Sequence, residues 1–173
     1  MATFGVLAGL GVASLPLATF AATTSETTVK VTVQEGISIA NDNSTANAGS
    51  KAPGETGSAT SNLTAATNNA AGLKITVKDK DNDTSLRDAS ITGSTAGVDF
   101  IPTGTSGAGT WSLKGGDLVA ETAMVKDSET ALVVKNTTGP STENVAMSYR
   151  VVPGAAQRQG TYEDVIVYTV TKN

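Results

Sequence analysis

The final stretch, Gly160-Thr161-Tyr162-Glu163-Asp164-Val165-Ile166-Val167-Tyr168-Thr169-Val170-Thr171-Lys172-Asn173, constrains the fold more than any other. Thr, Tyr, Val and Ile supply most of it, residue types that fit a pleated, half-buried surface. Side chains alternate across a strand, so Tyr162, Asp164, Ile166, Tyr168 and Val170 share one face. Glu163, Val165, Val167 and Thr169 share the other. Both faces are apolar in the middle, which predicts one long central strand covered on both sides. A chain closing on such a strand is expected to carry no C-terminal sorting tail.

Composition narrows the chemistry. The 173 residues suit one domain with a real core. Aromatics make up only 4%, and the net charge is −4 with no dense Lys/Arg cluster. A nucleic-acid binder would carry a basic patch or stripe, so none is expected as a partner. The chain has neither Cys nor His. That removes Ser-His-Asp and Cys-His nucleophiles, thiolate or imidazole metal sites and a disulfide framework. No pairing of carboxylates, Lys, Ser/Thr or Tyr stands out as an acid/base device, so no catalytic residue and no enzyme activity is expected.

Residues 1–22 carry no charge, and the apolar run closes on Thr19-Phe20-Ala21. This pattern reads as a secretory signal with a small-residue cleavage site, although no Lys or Arg precedes it. The competing reading is a retained anchor, since about 20 apolar residues span a bilayer; the membrane would then be met only through that leader. The expected organisation is an apolar leader helix over 1–22 and a single domain over 23–173.

Within that domain, Thr27–Val33 predicts a first strand with Val29, Val31 and Val33 inward and Lys30 and Thr32 outward. Residues 41–60 fall to Asn, Ser, Thr, Ala and Gly and predict a mobile surface loop. Alternation returns over Ser61–Thr67 and, most cleanly, over Leu73–Lys78. Weaker strands are expected near Ser85–Ile91, Val98–Ile101, Gly109–Leu113, Leu118–Val125 and Thr130–Lys135. Glu143–Val152 follows, with Val145, Met147, Tyr149 and Val151 on one face, joined to the terminal strand as an antiparallel hairpin. Many short strands with turn signals between them predict an all-β, antiparallel β-sandwich.

Three sites stand out. Asp79-x-Asp81-x-Asp83 has the alternating oxygen ligands of a calcium loop, but Thr84 and Ser90 occupy the positions where an EF-hand needs Gly and Glu. The competing reading is a hairpin turn whose acids bond their own backbone. Trp111, the single Trp, would stack on a sugar ring if exposed, or anchor the core if buried. Tyr162 sits where a corner tyrosine would tie back to loop backbone.

An apolar leader, a first strand of Val29-Lys30-Val31-Thr32-Val33, Thr67-Asn68-Asn69-Ala70-Ala71-Gly72 before a strand, a lone Trp after a Gly-rich loop and a last strand opening Gly160-Thr161-Tyr162 occur together here. In these features the chain resembles bacterial exported cell-surface β-sandwich proteins related to WxL-domain and spore-coat-U-like pilin modules. Trp111-Ser112-Leu113 occurs once and no second Trp exists, so peptidoglycan binding of the WxL kind does not carry over. The resemblance implies an immunoglobulin-like or pilin-like sandwich serving as a secreted, extracellular surface or appendage component. The expected function is a non-enzymatic structural subunit that self-associates into a filament or array by strand pairing. Thr23–Val33, with Val29, Val31 and Val33, is the candidate exchanged strand. The alternative is an adhesin-like module whose loops at 41–60 and 102–109 recognise surface glycan, cell wall or a host-cell protein.

Overall fold

Period-two burial explains why these residues form these strands. The computed structural model describes residues 25–91 and 93–173, and the compact unit begins at Gln34. Along β2 (Gly57–Thr67) odd-numbered residues are buried while Ser58, Thr60, Asn62 and Thr64 are exposed. In β3 (Leu73–Asp79) Leu73, Ile75, Val77 and Asp79 are all fully buried. Gly72, immediately before β3, adopts a φ of +90°, and an added Cβ would meet the Thr137 carbonyl. Only glycine fits that turn.

The other strands are β1 (Ile37–Asn41), β4 (Leu86–Asp88), β5 (Phe100–Ile101), β6 (Thr110–Gly115), β7 (Leu118–Thr122), β8 (Leu132–Asn136), β9 (Ser141–Val152), β10 (Tyr162–Glu163) and β11 (Ile166–Lys172). The protein is all-β: no helix occurs among the described residues, and every named strand pair is antiparallel. A five-stranded sheet runs β1-β2-β9-β6-β7, a second sheet β11-β3-β8 and a third β10-β4-β5. Its longest ladder joins β2 to β9 from Gly57↔Val151 to Thr67↔Ser141.

Side chains from different sheets meet in one core. Leu63, Leu113, Val145 and Met147 come from the five-stranded sheet, Leu73, Ile75, Val77 and Val134 from the second, and Ile101 from the third. Each such side chain, fully buried, contributes about 1.5–3 kcal/mol through lost contact with water.

Several expectations are corrected. Thr27–Val33 forms no strand, and Val29, Val31 and Val33 are 91%, 83% and 77% exposed rather than inward. The segment has strand chemistry but no ladder partner, and pairing instead starts at Ile37. The terminal strand is not one central strand. It breaks at Asp164–Val165 into β10, on β4, and β11, on β3, and β11 lies at a sheet edge. Nor does it form a hairpin with β9, which is paired on both sides by β2 and β6. The 41–60 loop is shorter than expected, because Asn41 closes β1 and Gly57 opens β2. The leader helix and residues 23–24 lie outside the described residues.

Candidate functional site

Among the described residues, two sheet edges lie side by side and neither has a strand partner beyond. β1 bonds only to β2, and β11 only to β3, yet β1 and β11 approach each other. Between them runs a shallow seam of about 320 Å³, lined by Ile39, Ala40, Asn41, Leu63, Ile166, Val167 and Tyr168. The cause is parity. Ile166 and Tyr168 lie on the inward face of β11, Leu63 is an inward residue of β2, and Ile39 is the only β1 residue not classed as exposed. A second depression of about 420 Å³ continues along the β1–β2 corner at Gly36, Ile37, Ser38, Ala66, Thr67 and Asn68. Ile37, Val165 and Val167 remain 43%, 55% and 38% exposed along these edges. An unpaired edge presents free N–H and C=O groups beside apolar side chains, the template for adding another strand.

The seam floor is closed by a polar tie. The Tyr149 hydroxyl lies 2.9 Å from Ser61 Oγ and 2.8 Å from the Tyr168 hydroxyl. Burial, reinforced by Tyr149, holds the Tyr168 phenol well above its usual range, so Tyr168 stays neutral.

Asp79, Asp81 and Asp83 do not converge. They form a run of turns in which Asp79 Oδ1 accepts from the Asp81 N–H, Asp81 Oδ1 from the Asp83 N–H and Asp83 Oδ1 from the Ser85 N–H. Asp83 also pairs with Arg87, whose guanidinium lies 5.2 Å from the Phe100 ring centroid. Among the described residues no three Asp, Glu, His or Cys side chains gather in a metal-binding arrangement.

Asp79 instead faces Asp164, an acid that motif reading missed. Parity carries both inward. Asp79 follows Leu73, Ile75 and Val77 on the buried face of β3, and Asp164 precedes Ile166, Tyr168 and Val170. Ile166 is the ladder partner of Asp79, and the Lys80 N–H donates to the Val165 carbonyl, so the two acids meet where the terminal strand changes sheets. Burial, then Asp79, pushes the Asp164 carboxyl up to about 8, and burial also raises Asp79. The signal for Asp164 was present in the alternation, but its pairing with Asp79 depends on the β3–β11 register.

Trp111 is 3% exposed, and its indole N–H donates to the Thr84 carbonyl at 2.8 Å. It anchors the core. The Tyr162 hydroxyl lies 2.7 Å from the Arg158 carbonyl and 2.9 Å from that of Val98, the corner tie expected of it. No protein-family model matches the chain, and no curated protein sequence matches it.

Proposed function

We propose that this protein is a non-enzymatic structural component of a bacterial cell surface, exported and assembled into a filament or array by strand pairing between copies. In this reading the sheets of residues 34–173 form an immunoglobulin-like, pilin-like sandwich, and the strand comprising Thr27–Val33 of one copy enters the seam between β1 and β11 of another. One observation carries it: an alternating valine segment without a ladder partner coexists with an apolar seam between two open edges.

The chemistry matches. Val29, Val31 and Val33 share one face, so a pleated strand would turn all three toward Ile39, Ile166 and Tyr168 while Lys30 and Thr32 stay in water. Burying three valines is worth roughly 5–9 kcal/mol. Association costs an estimated 4–15 kcal/mol, so valines alone leave the contact marginal and ladder hydrogen bonds must add to it. The adhesin-like reading lacks comparable support, because Trp111 is buried rather than displayed.

Deleting residues 23–33 tests the proposal. Secretion should persist while sizing chromatography and electron microscopy of the cell surface change from multimers to monomers. An unchanged distribution of multimers rejects strand exchange.

A further inference from the structure

We propose that the facing carboxyl groups of Asp79 and Asp164 bind a calcium ion from solution, locking the terminal strand to β3 at the point where it changes sheets. This goes beyond the assembly reading and does not depend on it.

The arrangement of oxygens is the starting point. In each carboxyl one oxygen is already held by a backbone N–H at 2.7 Å, from Asp81 onto Asp79 Oδ1 and from Val165 onto Asp164 Oδ1. The other oxygen of each, Asp79 Oδ2 and Asp164 Oδ2, is buried and receives no hydrogen bond. Asp79 as a whole is 0% exposed, and its side chain and that of Asp164 lie within hydrogen-bonding reach of each other. The backbone contacts therefore fix one oxygen of each group and leave the other, Asp79 Oδ2 and Asp164 Oδ2, without a backbone donor.

No cationic side chain answers them. Of the seven ion pairs among the described residues, none reaches Asp79, Asp81 or Asp164. The nearby Lys78 ammonium is engaged by Asp127 at 2.6 Å, and Arg87 by Asp83. Asp81, the third acid close enough to act on both carboxyls, adds negative charge. Burying two facing acids is costly, and a cation supplied from solution offsets that cost.

The donors select the ion. Oxygen ligands suit hard cations, and the irregular disposition of two carboxylates suits calcium, which accepts six to eight oxygens in flexible geometry, better than magnesium. Asp164 is only half-buried, so water has a route in to complete the shell. With two protein carboxylates the expected affinity is weak, on the order of 10⁻⁴–10⁻³ M, the range of extracellular modules. This set differs from Asp79-Asp81-Asp83, because Asp83 is committed to Arg87 and Ser85.

The test uses the full chain. Its thermal midpoint is measured in EDTA and in calcium chloride up to 10 mM, with magnesium as comparison, and calcium binding is followed directly by titration calorimetry. The midpoint should rise by about 3–6 °C at ten times the dissociation constant, with magnesium giving a smaller shift. Asp164→Asn should abolish both the shift and the binding heat, whereas Asp83→Asn should keep them. If Asp164→Asn does not fold, Asp79→Asn and the wild-type calorimetry decide the matter. No calcium-dependent shift or heat in the wild type overturns the proposal and leaves a proton shared between the two acids. Loss of binding in Asp83→Asn but not in Asp164→Asn overturns it in favour of the turn acids.

Discussion

Tyr149 shows how a single hydroxyl can join two sheets. It sits on β9 in the five-stranded sheet, and its hydroxyl links Ser61 of β2 to Tyr168 of β11 in the second sheet. Ser61 is 2% exposed, so without Tyr149 its hydroxyl has no water to turn to. Leaving a buried donor or acceptor unsatisfied costs about 1–3 kcal/mol, more than one net hydrogen bond is worth. Tyr149→Phe strands two hydroxyls, and Tyr168→Phe strands none that lacks another partner, because Tyr149 keeps Ser61. Urea unfolding should therefore place Tyr149→Phe about 2 kcal/mol below wild type and Tyr168→Phe about 1 kcal/mol below, with unchanged slopes. Equal losses would mean that the tie carries no cooperative weight. The inward placement of Tyr149 and Tyr168 was legible from their alternation with Met147 and Ile166. The tie itself was not, because it joins residues on three strands whose pairing no local pattern records.

Elements divide along the same line. The apolar alternation of Leu73–Val77 and of Val145–Tyr149 identified β3 and β9, whose partners lie within the chain. Val29–Val33 has the same alternation and forms no strand. Alternation says that a segment seeks a ladder; it does not say where the ladder is. The terminal stretch failed differently. Its two apolar faces suggested a central strand, but the outward Val165 and Val167 stay 55% and 38% exposed on an edge. Hydrogen exchange should expose this distinction. Amides in the middle of β2 and β9 should exchange slowest, because β9 is flanked on both sides and β2 by β1 and β9. In the monomer the outward-facing amides of β1 and β11 should exchange fast, and in assembled material they should become protected. Protection gained instead along β7 or β8, the opposite edges of the two sheets, would move the interface away from the seam.

At the scale of the molecule, the assembly proposal asks that the body and the exchanged segment be separable. Among the described residues the core cluster is drawn from positions beyond Gln34, where the compact unit begins, so residues 34–173 should fold without the preceding segment and remain monomeric. A peptide of residues 25–33 added to that body then isolates the recognition step. It must lose its own chain freedom on binding, about 1–2 kcal/mol per ordered residue, against the burial of three valines and the new ladder bonds. The favourable terms exceed that cost by only about 4–5.5 kcal/mol, so the free peptide should bind weakly, with a dissociation constant of about 10⁻⁴–10⁻³ M. In an array the same strand is tethered at high effective concentration, which turns a weak pairing into a durable one. Chemical shifts in a titration should move at Ile39, Ile166 and Tyr168 and along the outer edge of β1. Replacing Val29, Val31 and Val33 in the peptide by Thr should remove the effect, since it keeps the strand-forming backbone but takes away the apolar face. Shifts confined to the loop at 102–109 would point to a loop-borne binding surface instead, and no shifts at millimolar peptide would leave the seam without its occupant.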